Sequence, residues 1–347
     1  MNSSSTSYEK LPLYMSMAGR GNPWGALTTL RKQLMRALYD QLPLSELAET
    51  FELSVAEIKS ELAPLVSAQL VKEVDESYKP AFFIANGAQT QRITDHASRA
   101  GQALASHLWD HWDDLEDHYH RLSVSADYSF QDLAFLLLGG RLLDIGLLEA
   151  LAKDKALLLP APARPSSDRP DARYYFWMIE GDLTKLGKYG QEDIGLPWAS
   201  WRFLTFGQNF IDLQFNNARQ ALEEKCSELV DKKLVENPQS LAEQLNVPLV
   251  DAKDAAYWLK IVKSYSEELN SIYKNSKDEL RELYVSLDAN RPNSDYFGDF
   301  FCWHVHYAYA CAIDDLVRKG ALKFPPDYFS AALWYREQEN EGLLTAF

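Results

Sequence analysis

Histidine and acidic side chains cluster in one short stretch of this chain. Five of the seven histidines lie between residues 96 and 120, interspersed with aspartates. His107 and His111 are four residues apart, so a helix places them on one face, and His118 nearly shares that face. Imidazole and carboxylate are ligands of zinc, nickel and iron, which makes His107, His111 and His118 the candidate metal ligands.

Two interpretations of this stretch remain open. An HxxxH spacing without a further fixed partner is also found on solvated acidic helix faces. We therefore expect no bound metal or other cofactor. A metal-dependent enzyme or metal sensor built on residues 107–120 is retained as a third hypothesis for function.

A second group of residues has the chemistry of a small-molecule pocket. Aromatic side chains crowd into residues 174–210 together with a few polar ones, a composition typical of ligand sites but also of ordinary core. His304 joins them from a predicted apolar helix, 297–317, as a pocket or core residue. The predicted ligand-binding residues are Tyr175, Trp177, Trp198, Trp201, Arg202, Phe206, Gln208, Asn209 and His304.

The first quarter of the chain has the element order of a DNA-binding domain. Apolar spacing predicts a helix over 24–41, and a second, short helix follows over 45–51. Ser54 and Glu57 form the capping-box pattern at the start of a third helix. Two β-prone segments around a polar turn, 70–74 and 78–84, then predict a hairpin.

This order, with the segments SELAETFELSVAEIKSEL and QLVKEV…YKPAFFI, resembles the bacterial ArsR- and MarR-type winged helix-turn-helix regulators over residues 24–86. The resemblance implies a homodimer that binds double-stranded DNA. Outward positions of the third helix and the two hairpin lysines are then the candidate DNA contacts: Ser54, Ala56, Lys59, Ser60, Lys72 and Lys79.

Charge argues against DNA contact in the same region. Residues 24–88 hold six basic and nine acidic side chains, a net charge of −3 where phosphate contacts need cations. Winged helices also serve as protein-docking modules. A winged-helix interaction module without direct DNA binding is therefore the alternative function.

The predicted fold class is mainly α. We expect a flexible arm over 1–22, a winged helix-turn-helix domain over 23–87, a linker or dimerisation helix over 88–122, and a helical effector-sensing domain over 123–347. That last domain is expected to hold a small β element near 173–179. Residues 240–247 echo residues 46–53, and a helix follows over 248–265. Residues 238–265 therefore form either a second helix-turn-helix or two ordinary helices.

Composition limits the classes of function. The net charge of −15 disfavours non-specific nucleic-acid binding, and three scattered cysteines argue against a disulfide framework. The N-terminus lacks a signal-peptide pattern and no apolar run is long enough to span a membrane, so a cytoplasmic protein is expected. No enzyme motif is recognisable. The prediction is a cytoplasmic DNA-binding transcription regulator that senses an unidentified small molecule.

Overall fold

The computed structural model of the protein describes residues 8–75, 77–153, 157–166, 169–182, 189–208, 217–287 and 296–336. Within these ranges the chain forms nine strands in three sheets beside its helices. The predicted mainly helical layout with a small β element is therefore wrong. Two of the three sheets join segments that are far apart in sequence, and such pairing leaves no local periodic pattern.

The N-terminal unit contains three helices followed by a hairpin. The helices are α1 (Thr29–Tyr39), α2 (Leu44–Thr50) and α3 (Val55–Ser67). The hairpin strands β2 (Val71–Val74) and β3 (Ser77–Pro80) follow. The predicted capping box is confirmed, because Ser54 accepts the Glu57 N–H and Glu57 accepts the Ser54 N–H. Buried apolar residues fill the core between the helices: Leu34, Leu38, Leu47, Ile58, Leu62 and Leu65.

The segment expected as part of a flexible arm is instead a strand. Strand β1 (Leu13–Arg20) pairs antiparallel with β5 (Arg173–Glu180) along its whole length, and β4 (Phe83–Ala85) pairs parallel on the other edge of β5. The strand at β5 was predicted and is confirmed. β1 was missed because its Met, Ser, Ala and Gly residues have weak strand preference and its partner lies about 160 residues away.

Residues 88–122, expected as a linker or dimerisation helix, contribute to the main hydrophobic core. They form α4 (Gly87–Asp110) and α5 (Trp112–Tyr119), and α4 packs lengthwise against α12 (Phe297–Arg318) in the main hydrophobic core. A Cβ atom on Gly101 would lie 2.5 Å from the carbonyl oxygen of Ala308, so the two helices approach closely at this glycine. The apolar stripe of α4 is thus buried within the protomer rather than exposed for a dimer.

A long apolar helix crosses the centre of the molecule. It consists of α6 (Phe130–Ala134), a π-helical segment (Phe135–Gly146) and α7 (Leu147–Lys153). Its glycines admit neighbouring elements, since a Cβ on Gly139 would collide with the ring of Phe206 and one on Gly146 would lie 2.5 Å from Val262. The helices α10 (Ala252–Asn275) and α11 (Lys277–Leu287) complete this helical body.

A four-stranded sheet covers the other side of the π-helical segment. Its order is β6 (Tyr189–Gly195), β7 (Trp201–Gln208), β9 (Phe329–Tyr335) and β8 (Leu249–Val250), and helices α8 (Asn217–Asp231) and α9 (Pro238–Leu245) pack against it. Strands β6 and β7 lie within the domain 123–347 that was expected to be helical apart from residues near 173–179, so that expectation is wrong here. A continuous apolar run can be a buried strand or a buried helix, and periodicity does not separate the two.

The possible second helix-turn-helix has both helices but not the expected connection. Strand β8 lies between α9 and α10 and pairs with β9, and α10 continues for 24 residues into the helical core. Among the described residues, no helix combines the length and the apolar character needed to cross a membrane.

Candidate ligand-binding cavity

A cavity of about 830 Å³ lies where the first sheet, the π-helical segment and the β6–β7 hairpin meet. Strand β1 contributes one wall, β6 another, and α12 reaches it through His306. Its polar and charged lining residues include Ser16, Arg20, Asp144, Arg169, Asp171, Trp177, Gln191, Glu192, Asp193, Arg202, His306 and Arg336.

The innermost polar groups are a carboxylate and an imidazole. Asp144, on the π-helical segment, is 5% exposed, and its Oδ1 lies 3.7 Å from Nε2 of His306. The Gln191 N–H donates to Asp144 Oδ2 at 2.9 Å, and Tyr309 is a further hydrogen-bond partner. Burial raises the pKa of Asp144 above its usual value, while His306 and the Gln191 N–H oppose that shift.

The imidazole of His306 has a fixed orientation. Its Nδ1 donates to the carbonyl oxygen of Cys302 at 2.7 Å, which leaves Nε2 directed towards Asp144. The thiol of Cys302 lies 3.7 Å from the same Nδ1, but burial raises its pKa well above the usual value. A protonated, fully buried thiol is a poor nucleophile, so this pair does not form a cysteine–histidine catalytic dyad.

The residues that line the cavity include Trp177 and Gln191, whose Nε1 (a donor) and Oε1 (an acceptor) are buried without a hydrogen-bond partner among the described residues. Buried polar groups are almost always hydrogen-bonded in folded proteins. A bound molecule that accepts from Trp177 and donates to Gln191 and Asp144 would satisfy all three positions.

Four arginines line the cavity, and two of them are in ion pairs with Asp193. Arg202 and Arg336 both contact Asp193, at 3.6 and 3.4 Å. Arg20 and Arg169 are exposed, and within the described ranges neither has a carboxylate at ion-pair distance. Two exposed guanidinium groups without a direct ion pair favour a ligand that carries an anionic group, although the charge of Arg20 also acts on Asp193.

Only part of the predicted ligand set lies at this cavity. Trp177 and Arg202 line it. Tyr175 is buried and donates to the carbonyl oxygen of Leu159, Phe206 packs against Gly139 and Gly140, and Trp198 and Trp201 pack on the core beneath α8 and α9. For Gln208 the structure describes only the strand backbone, and Asn209 lies outside the described residues.

Sequence reasoning missed Asp144, Gln191 and His306. A signal for Asp144 was present, since a lone carboxylate within the apolar run of residues 133–148 is unusual unless it has partners. No local pattern indicates Gln191, because β6 reaches the cavity only through its pairing with β7.

No family model, curated protein or solved structure matches this chain. Function therefore has to be inferred from its geometry.

His304, predicted at the ligand site, lies elsewhere in the core. It is fully buried, and its Nε2 is 2.9 Å from Nδ1 of His96, whose Nε2 in turn lies 3.2 Å from Glu279. Burial lowers the pKa of His304 well below its usual value and also lowers that of His96. Both rings are therefore neutral at pH 7, and the pair is part of the packing between α4 and α12.

The candidate DNA contacts are exposed but sparse in charge. Ala56, Lys59 and Ser60 are exposed on α3, whereas the Ser54 hydroxyl is engaged in the capping box. Strand register places Lys72 opposite Lys79, so the two lysines lie side by side on the hairpin.

Two other cations of this unit are committed to internal ion pairs. Arg31 contacts Glu61 at 2.9 Å, and the buried Arg36 contacts both Asp40 and Glu180. Neither guanidinium group is available for phosphate without losing these contacts.

The predicted metal ligands separate into two places. His107 and His111 lie together with Glu268 of α10, a residue that sequence spacing did not indicate. His118, on α5, lies apart from that group, and its Nδ1 is 2.8 Å from the hydroxyl of Tyr257.

Proposed function

We propose that this protein is a ligand-responsive regulator. Its cavity takes a small polar molecule that has an anionic group for Arg20 and Arg169 and a hydrogen-bond donor for Asp144. Its N-terminal helix-turn-helix unit is the output and binds double-stranded DNA as a transcription regulator.

The observation that carries this proposal is the shared strand β5. Trp177 faces the cavity, while its neighbours Phe176 and Met178 pack in the core of the N-terminal unit. Successive residues of a strand point to opposite faces, so any displacement of β5 by a ligand acts on both sides. The ion pair between Arg36 of α1 and Glu180 at the end of β5, at 3.0 Å, ties the helices to the same strand.

The ligand half of the proposal is tested by a thermal-shift screen of the full chain. Suitable probes are amino acids, dicarboxylates and nucleoside phosphates, each of which combines donors with an anionic group. A hit should raise the melting temperature of the wild type and of Lys232→Ala, a surface control, but have little effect on Asp144→Asn or Arg20→Ala. A hit that stabilises all four proteins equally would place the ligand elsewhere.

The DNA half is tested by fluorescence anisotropy on a duplex from the region upstream of the gene, with a scrambled duplex for comparison. Affinity should fall as salt rises and fall further in the triple variant Lys59→Ala, Lys72→Ala, Lys79→Ala. Sedimentation would show whether the bound species is the expected homodimer. Salt-insensitive or undetectable binding, with and without the cavity ligand, contradicts DNA binding.

A second candidate for the output is a protein partner. The outward face of α3 includes exposed apolar side chains, with Val55 41% exposed beside Ala56 and Ala63, and only one cation, Lys59; the adjacent hairpin turn carries Asp75. Such a surface is better suited to a protein than to phosphate. Stable co-purification of one partner that Val55→Asp abolishes, with no DNA affinity, favours this candidate over the first.

A further inference from the structure

Two histidines and a glutamate from different helices converge near the C-terminal end of α4. His107 and His111 are one turn apart, and Glu268 approaches them from α10. One ligand atom from each residue lies within 4.8 Å of the other two. Helix–helix packing thus assembles a three-residue cluster at a partly exposed position, outside the cavity.

The separation of His107 and Glu268 also fits two ligands of one metal ion. Nε2 of His107 is buried and makes no hydrogen bond among the described residues, although Oε2 of Glu268 is only 3.1 Å away. Two ligands bonded to one tetrahedral zinc ion at about 2.0–2.1 Å would lie about 3.3 Å apart. The observed separation is close to that value.

The second histidine is oriented by the backbone of the first. Nδ1 of His111 donates to the carbonyl oxygen of His107 at 2.9 Å, which leaves Nε2 with a free lone pair. A ring nitrogen held by a carbonyl in this way is the usual support for a metal-binding histidine. The ring of Tyr265 packs edge-on against both imidazoles, with centroid distances of 6.5 and 5.7 Å, and restricts their rotation.

The charge around the cluster is negative. Asp113 and Asp114 lie in the first turn of α5, directly after His111. Glu268, within the cluster itself, is a third carboxylate. A divalent cation would be attracted by these carboxylates, which otherwise repel one another.

We infer that His107, His111 and Glu268 bind a divalent transition-metal ion of the zinc class, with water in the fourth position. Imidazole and carboxylate ligands suit zinc, cobalt or nickel, and three protein ligands leave one position for exchange. The ion would join α4 to α10, and α10 also packs against α7. This inference is independent of the proposed cavity ligand and of DNA binding.

The test is calorimetric titration of metal-free full-length protein with zinc chloride, followed by elemental analysis after dialysis. We expect one zinc ion per chain and a higher melting temperature. His107→Ala and Glu268→Gln should weaken binding by more than the roughly 10- to 100-fold that loss of an outer-shell partner costs. His118→Ala, from the same histidine-rich segment, is the matched control and should bind as the wild type does.

Cobalt binding to the wild type keeps the test independent of whether the variants fold. The intense visible absorption of four-coordinate cobalt should appear and then be displaced by zinc. The inference is overturned by three outcomes: no stoichiometric binding of zinc or cobalt, binding that Glu268→Gln leaves intact, or an equal loss of affinity in His118→Ala. The last outcome would indicate unspecific binding to surface histidines.

Discussion

Asp299 and Asp144 are both buried, but Asp299 has a guanidinium partner at close range and Asp144 lines a cavity. Asp299 contacts the guanidinium of Arg164 at 3.1 Å and accepts the N–H of Phe176 at 3.0 Å. Arg164 also donates to the carbonyl oxygens of Tyr174 and Ala81, so this pair joins four segments of the chain. Asp144 also accepts hydrogen bonds, but its nearest imidazole nitrogen is 3.7 Å away and its side chain lines a cavity.

This difference indicates different roles for the two pairs: Asp299 with Arg164 stabilises the fold, and Asp144 with His306 is available to a ligand. A buried ion pair with every donor and acceptor engaged fixes neighbouring segments and has nothing left for a ligand. A buried carboxylate that faces a cavity keeps acceptor capacity for an incoming group. We therefore assign Asp299 to the fold and Asp144 to the proposed site.

The largest expected effect is loss of stability in Asp299→Ala. Removing the carboxylate leaves the guanidinium of Arg164 buried without its partner, which should lower the free energy of unfolding by about 3–5 kcal/mol. Urea denaturation measures this. Glu228→Ala, which removes an exposed pair with Lys232, is the control and should leave the midpoint almost unchanged. A small effect of Asp299→Ala would erase the proposed distinction between the two aspartates.

The two histidines of α12 repeat the contrast, because His304 is enclosed and His306 lines the cavity. The pKa of His304 is lowered in the folded state, so below pH 6.5 the unfolded chain binds protons that the folded chain does not. Stability is fully present above pH 6.5 and falls as the pH drops, by up to about 1.4 kcal/mol per pH unit.

Denaturation at a series of pH values tests the contribution of His304. His304→Gln should flatten the acid slope, while His120→Gln, at an exposed position, should keep it. An unchanged slope in His304→Gln would mean that this ring is not the source.

Asp144→Asn should have a smaller effect on stability and a selective effect on binding. The amide can still accept the Gln191 N–H, so we expect the free energy of unfolding to change by less than about 1 kcal/mol. Affinity for a ligand found by thermal shift should fall about 10- to 100-fold, the cost of one charge-assisted hydrogen bond. Calorimetry measures it, with Glu228→Gln as control. Normal affinity with a large loss of stability would assign Asp144 to the fold instead.

The smallest expected effect is a pH-dependent difference between Asp144→Asn and the wild type. The folded-state pKa of Asp144 is raised, so its stabilising contribution is complete below pH 3.8 and is lost as the pH rises through the folded value. Asp144→Asn does not lose stability in this way, because the asparagine side chain does not titrate. Its stability relative to the wild type should therefore increase with pH above 3.8, and urea midpoints between about pH 4 and pH 7 would reveal it. The opposite trend would mean that His306 and the Gln191 N–H lower the pKa of Asp144 by more than burial raises it.

The sequence determined the features that depend on neighbouring residues. The Ser54–Glu57 capping box, the helix α12 and the strand β5 could all be predicted, because caps and apolar periodicity act within a few residues. The pair His107 and His111 was visible for the same reason, since a helix places residues four apart on one face.

Tertiary structure decided which distant segments meet. It paired β1 with β5 and buried the apolar face of α4 in the main hydrophobic core. It also brought Glu268, rather than His118, to His107 and His111. It also exposed Asp144 and His306 to one cavity from the π-helical segment and from α12. These contacts arise from packing between elements more than a hundred residues apart, and no local spacing in the chain encodes them.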